Sequence, residues 1–206
     1  MTTYNVVETF HDLYAAVNHG ATHIVINQTG MTASYGFAKI AIEYCHPLNV
    51  RVYALINPSF QSFHYTLFDV EIMREDIRQL NRMEIDGFIF GALDSDNDLD
   101  IPVMQTLIQA AESTPVIMHS QFDKIPLRAQ LKAMDALIEI NVSAIITHGD
   151  VSYLKPILDN TYQLGRLLRH SKGEIEIIPE VADSDEFTEL KKWIPFQHVY
   201  GREIYH

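Results

Sequence analysis

Cysteine is nearly absent from this sequence. Cys45 is the single cysteine among 206 residues, so no disulfide can form within the chain. No apolar run approaches the roughly 18 residues that a membrane-spanning helix needs. The first four residues, Met1–Tyr4, contain neither a basic region nor an apolar signal core. These absences predict a protein of a reducing compartment, the cytoplasm, with no membrane partner.

Basic residues are also scarce. Fifteen Lys and Arg residues stand against 27 Asp and Glu residues, which gives a net charge of −12 with His neutral. Because binding to nucleic acid requires a basic face that displaces counterions, no nucleic-acid partner is expected. The hydrophobic fraction of 47% with 20% charged residues is typical of a globular chain. No linker rich in Pro, Gly or Ser interrupts it, so residues 1–206 are predicted to form one domain.

The motifs of several large enzyme classes are missing. No Gly-x-Gly-x-x-Gly follows the first strand, no Walker-type loop is present, and no Gly-x-Ser-x-Gly turn offers a nucleophile. A doubly wound open sheet is therefore only the alternative fold.

Short apolar runs alternate with helical patterns along the whole chain. Most runs are dense in Val and Ile with little alternation, which is typical of parallel strands covered on both faces. The predicted strands are Tyr4–Val7, His23–Ile26, Val50–Ile56, Gly87–Phe90, Pro115–Met118, Ala144–Thr147, Glu174–Ile178 and His198–Tyr200.

Helix start signals occur between these strands. Capping or first-turn residues predict helix starts at Thr9, at Asp69, at Asp100 with Pro102 following, at Pro126 and at Ser184. Eight strands with intervening helices favour a closed (β/α)8 barrel of the TIM type.

The predicted barrel is incomplete, because few residues follow the eighth strand and an eighth helix is missing. Its absence should expose an apolar flank near Phe10, Tyr14, Trp193 and Phe196. A bare flank of this kind is usually buried in another subunit, so a homodimer or higher homo-oligomer is predicted.

Polar side chains follow several predicted strands, where barrel enzymes keep their active sites. His119 and Asp123 follow the fifth strand and are the candidate catalytic pair, with His119 as acid, base or ligand and Asp123 orienting it. The alternative is a hydrogen-bonded buried His beside a helix cap. His119 and His148 form a candidate Zn or Cu(II) ligand set with Glu180, or with Asp150 in its place, although no local His spacing supports it. The alternative is ordinary loop polarity.

The residues after the eighth strand offer a candidate anion site. Gly201 would allow close backbone approach and Arg202 would supply the charge, as at the phosphate sites of many barrels. The alternative is a solvated charge at the end of the strand.

Five segments in order resemble the CutC family, whose members are known as copper homeostasis proteins. The segment around His119, for example, is similar to that family's Thr-Phe-His-Arg-Ala-Phe-Asp. The matching segments are Gly20–Ile24, Gly30–Gly36, Asp86–Asp96, Ile117–Asp123 and Ile145–Gly149. The resemblance implies a (β/α)8 barrel with a role in copper handling, and it implies copper as a possible ligand.

The chain departs from the family pattern at charged positions. Val25 stands where the family has Glu, Asn57 and Ser59 replace two arginines, and Ser120 replaces another. Groups that bind an anionic substrate are therefore largely replaced by neutral ones. Three hypotheses follow: a copper-associated binding protein, an enzyme acting on a small metabolite through His119 and Asp123, or a non-catalytic barrel that binds a partner. The residues alone demonstrate no enzymatic activity.

Overall fold

Eight parallel strands close into a barrel in the computed structural model, which describes residues 2–59, 63–151, 155–202 and 204. Each strand pairs with its neighbours in sequence, and β1 closes the barrel by pairing with β8. The prediction of a (β/α)8 barrel of the TIM type is confirmed. The strands are β1 Thr2–Val7, β2 His23–Ile26, β3 Arg51–Leu55, β4 Gly87–Phe90, β5 Val116–Met118, β6 Ala144–Thr147, β7 Glu176–Val181 and β8 His198–Gly201.

In the part of the chain that the structure describes, seven α-helices connect successive strands on the outside of the barrel. They are α1 Phe10–Asn18, α2 Tyr35–Cys45, α3 Leu67–Asn81, α4 Ile101–Ala111, α5 Gln130–Glu139, α6 Thr161–Ser171 and α7 Ser184–Lys191. Short 3-10 helices lie at His46–Leu48, Ser120–Lys124 and Ile157–Asn160. Within the described ranges, no helix is long and apolar enough to cross a membrane.

Helix starts follow capping chemistry, although not always at the predicted residue. Thr9 caps α1, and Asp100 caps α4 with Pro102 in its first turn, as predicted. The predicted start of α3 at Asp69 is wrong, because Thr66 is the cap and Asp69 completes its capping box. The predicted start of α5 at Pro126 is also wrong, since the regular helix begins only at Gln130.

The alternation along each strand separates two apolar cores. Outward-facing residues pack under the helices in the larger core, while inward-facing residues fill the barrel in a smaller one. The inner core contains Tyr4, Val25, Tyr53, Leu55, Ile89, Ile117, Ala144, Ile146, Ile178 and Tyr200, with Val6 packed against it. This apolar plug separates two polar ends of the barrel, one at the carboxyl ends of the strands and one at the amino ends.

The flank beside β8 differs in part from expectation. Phe10, Tyr14 and Trp193 are exposed, but the prediction is wrong for Phe196, which is only 4% exposed and belongs to the outer core. After β8, the described residues form no helix. Ile204 instead packs back into the outer core, and its backbone N–H donates to Asn5 Oδ1 at 2.9 Å. The chain thereby covers part of the outer face of β1 and β8.

Candidate functional site

A cavity of about 280 Å³ opens at the carboxyl ends of the strands. Val6, Leu55 and Tyr200, from the inner core, contribute apolar surface to it. The polar side chains around it come from the ends of different strands, as in other barrels of this type. The lining residues outside the inner core are Asn27, Gly30, His119, Glu180, Val181, Ala182, Gly201 and Arg202. We call this space the mouth cavity.

The imidazole of His119 is neutral at physiological pH. His119 follows β5 and caps the short helix Ser120–Lys124, where its Nδ1 accepts a long hydrogen bond of 3.4 Å from the backbone N–H of Gln121. Burial, assisted by the positive charge of Lys124, lowers the pKa of His119 to about 4. Since Nδ1 accepts in this arrangement, the ring proton is assigned to Nε2, which is then a hydrogen-bond donor.

Lys124 is held beside His119 by an aromatic ring. Its ammonium lies 4.3 Å from the centroid of the Phe63 ring, and that ring lies 6.3 Å from the imidazole of His119. A cation over an aromatic face is electrostatically favourable. The arrangement keeps a positive charge near His119 and favours its neutral form.

Asp123, in the short helix after β5, is buried and hydrogen-bonds to residues at the end of β6. Its Oδ2 accepts from the backbone N–H of His148 at 2.8 Å, and its Oδ1 accepts from the hydroxyl of Thr147. Burial raises the pKa of Asp123, although these hydrogen bonds favour the charged form and limit the rise. The carboxylate therefore joins the loop after β5 to the end of β6. Its predicted catalytic pairing with His119 stays a prediction.

His148 is engaged through both ring nitrogens. Nδ1 lies 3.1 Å from the carbonyl oxygen of Glu180, and Nε2 lies 3.0 Å from that of Lys155. Asn160 Nδ2 donates to the His148 carbonyl at 3.0 Å. A nitrogen that contacts a carbonyl oxygen in this way cannot offer its lone pair to a metal unless the contact breaks.

The three predicted metal ligands are not brought together. His119 and Glu180 line the mouth cavity, whereas the His148 ring is occupied by backbone carbonyls. The part of the chain that the structure describes contains no group of three or more His, Cys, Asp or Glu residues that could hold a metal ion. Burial raises the pKa of the Cys45 thiol to about 11, so this fully buried sulfur is protonated at neutral pH.

Gly201 and Arg202 both line the mouth cavity. The guanidinium of Arg202 forms an ion pair with Glu8 at the end of β1. A Cβ atom on Gly201 would lie 2.5 Å from the carbonyl oxygen of Val181, so glycine is needed where β7 and β8 meet. That packing accounts for the glycine without a bound anion, and the predicted anion site stays a prediction.

Two residues with polar side chains in the mouth cavity were not among the predicted site residues. Asn27 directly follows β2, is buried, and its Oδ1 accepts from the backbone N–H of Gly30 at 3.3 Å. Tyr200 lies in β8, and burial together with the charge of Glu180 raises the pKa of its hydroxyl. Both follow or end predicted strands, so position at a strand end was the signal that could have identified them.

Comparison with known proteins gives consistent results. The model of the CutC family matches residues 3–192. The family protein CutC of Enterococcus faecalis is 30% identical over 202 residues, which cover 96% of each chain. The family protein CutC of Streptococcus pyogenes serotype M6 is 33% identical over 149 residues, or 72% of this chain and 71% of that protein.

Solved structures resemble this barrel with different degrees of structural and sequence similarity. A Streptococcus agalactiae protein, provisionally assigned as the copper homeostasis protein CutC, superposes with a TM-score of 0.95 at 25% identity and covers 99% of both chains. An aldolase, QR15, superposes with a TM-score of 0.71 at 10% identity, covering 96% of this chain and 88% of its own. The second likeness shows the fold alone.

Proposed function

The chain belongs to the CutC family, and from this membership we propose that it acts in copper homeostasis, with the mouth cavity as its binding site. The observation that carries the proposal is the presence of a neutral imidazole, His119, and a carboxylate, Glu180, on one cavity at the carboxyl ends of the strands. Copper would be the cargo that this protein binds. The donor atoms of the mouth cavity would determine which oxidation state of copper is preferred.

The donor chemistry favours Cu(II) over Cu(I). Imidazole nitrogen and carboxylate oxygen suit Cu(II), whereas Cu(I) prefers thiolate and thioether sulfur. The single cysteine, Cys45, is buried in the outer core and its raised pKa keeps it protonated. For Nε2 of His119 to bind Cu(II), its proton must move to Nδ1, which gives up the long hydrogen bond from Gln121. Because of this cost and because the protein supplies two donors, with water or a small ligand completing the coordination, we expect weak, exchangeable binding.

We expect His119→Ala to weaken Cu(II) binding by about tenfold or more, since it removes one of two protein donors. The measurement is calorimetric titration with Cu(II). His170→Ala is the matched control, because His170 lies on α6 and pairs with Asp135 on the surface. Equal affinities of wild type and His119→Ala, or an equal loss in His170→Ala, would contradict copper binding at His119.

A second candidate function is the binding of a small oxygen-bearing metabolite at the same mouth cavity. The hydrogen bond from Gln121 to His119 Nδ1 favours it, because Nε2–H is then a donor. Arg202 adds a guanidinium, which suits a carboxylate. In an enzyme, His119 would hold a proton at Nε2 next to such an oxygen. This function is identified if wild type binds the metabolite equally well with and without copper and His119→Ala does not bind it.

We further propose a cytoplasmic homo-oligomer that buries the flank around Phe10, Tyr14 and Trp193. Their exposed fractions are 43%, 51% and 75%. Exposed apolar surface of this kind often marks a protein–protein interaction site.

Light scattering should therefore give at least twice the mass of one chain, and Trp193→Ser should shift the protein toward the monomer. Tyr162→Ser is the matched control, since Tyr162 is 80% exposed but lies on α6. A monomeric wild-type protein at micromolar concentration would contradict this proposal, as would equal dissociation in both variants.

A further inference from the structure

A second cavity, of about 470 Å³, lies at the amino ends of the strands, on the opposite side of the apolar plug from the mouth cavity. It is lined by the first residues of six strands and by two inner tyrosines. We call it the amino-end cavity. Its lining residues are Thr2, Tyr4, His23, Arg51, Tyr53, Pro115, Ile117, Ser143, Ala144, Glu176 and His198.

Aromatic rings pack against each other along this cavity. The Tyr4 ring lies 4.8 Å from that of His23 and 5.2 Å, edge to face, from that of Tyr53. The Tyr53 ring lies against β4, where a Cβ atom on Gly87 would be 2.2 Å from Tyr53 Cε1. The absence of a side chain at Gly87 therefore makes room for this ring. Tyr4 and Tyr53 are almost fully buried, so the cluster forms an aromatic floor of the cavity, against which a planar apolar group can pack.

Arg51 supplies an unneutralised positive charge beside these rings. Burial raises the pKa of the neighbouring Tyr53 hydroxyl, and the positive charge of Arg51 acts against that rise. Across the described part of the chain, Arg51 forms no ion pair with a carboxylate. A guanidinium beside hydroxyl groups is a natural partner for a carboxylate or phosphate.

The carboxylate that lines this cavity, Glu176, already has a partner within the protein. Glu176 Oε2 lies 3.3 Å from His198 Nε2 on the adjacent strand, so the imidazole is a polar partner of this carboxylate. His198 Nδ1 is buried and has no hydrogen-bond partner among the described residues. An imidazole nitrogen left without a partner costs free energy, which a ligand or water reaching it would recover.

We propose that the amino-end cavity is a second binding site, which takes a small organic anion with a planar apolar body and a carboxylate or phosphate group. The anionic group is held by Arg51, and the planar body packs on Tyr4 and Tyr53. The size of the cavity falls within the range of small-molecule sites. The site is independent of copper and of the mouth cavity, because the inner core lies between the two.

The test is titration with benzoate and with phenyl phosphate, followed by nuclear magnetic resonance of the imidazole signals. We expect one or both probes to shift the signals of His23 and His198 while that of His119 stays in place. The probe that binds more tightly identifies the anionic group. Benzylamine, which carries the opposite charge, should not bind.

Arg51→Gln should weaken binding of the probe by about tenfold or more, since it removes the charged donor. Arg51 is exposed, so the variant should fold, as circular dichroism would verify. Arg78→Gln is the matched control and should bind the probe as wild type does, because Arg78 lies on α3 and pairs with Glu75 on the surface, away from both cavities. The proposal is overturned if neither probe shifts His23 and His198, if Arg51→Gln binds equally well, or if benzylamine binds as tightly as the anions.

Discussion

Replacing Asp123 by Ala should lower the free energy of unfolding by about 3 kcal/mol or more. The carboxylate is only 6% exposed and accepts from the hydroxyl of Thr147 and the backbone N–H of His148. Both donors are buried and would lose this acceptor, and each such loss costs about 1–3 kcal/mol. Urea unfolding followed by circular dichroism gives the value.

Asp123→Asn is the matched variant, because the amide retains one acceptor oxygen of the same shape. We expect it to lose about half as much stability as Asp123→Ala. Thr147→Val then tests the partner, since removing both ends of one hydrogen bond should cost less than the sum of the single changes. Additive effects of the two changes, or a loss in Asp123→Ala below about 1 kcal/mol, would show that the network does not hold β5 and β6 together.

The second large expected effect is a loss of stability in mild acid. The pKa values of His119 and His23 are both lowered to about 4, chiefly by burial, whereas an unfolded chain has His near 6.5. Between these values the unfolded state binds protons that the folded state does not, so the free energy of unfolding decreases as the pH falls from about 6.5 toward about 4. Allowing for partial exposure of both rings, we expect about 1–3 kcal/mol from each His.

His119→Gln and His23→Gln should each flatten this dependence, and the double variant should flatten it further. The comparison is made by urea unfolding at about pH 7 and about pH 5. Asp123 acts in the opposite direction, because its raised pKa adds stability as the pH falls. The test is therefore the difference between each variant and wild type, not the pH dependence of wild type alone. If the free energy of unfolding changes equally between the two pH values in wild type and in both single variants, the assignment of neutral imidazoles at His119 and His23 is contradicted.

The strands and the barrel could be predicted from the sequence because their signals are local. His23–Ile26, Gly87–Phe90 and Ala144–Thr147 have the predicted bounds, since a run of apolar residues between turns has few other ways to bury itself. Helix starts were less certain where two capping residues compete. Thr66 and Asp69 both suit a helix start, and only the reciprocal hydrogen bonds of the capping box assign the cap to Thr66.

For the candidate site too, some features could be predicted from the sequence and others could not. That His119, Glu180 and Arg202 share one end of the barrel follows from their positions after parallel strands. The direction of a side chain does not follow from position, as Asp123 and His148 show. Asp123 turns toward Thr147, and the His148 ring binds backbone carbonyls, because loops distant in sequence bring those partners near.

The sequence by itself determined the parallel barrel, the strand ends that carry polar residues and the family of the chain, since each depends on local pattern or residue identity. Only the tertiary structure decided which polar groups meet. It placed Arg51 in the same cavity as two inner tyrosines, buried Phe196, and packed Ile204 into the outer core. Those outcomes depend on contacts between residues far apart in the chain, and closure of the barrel sets such contacts after every local preference has been satisfied.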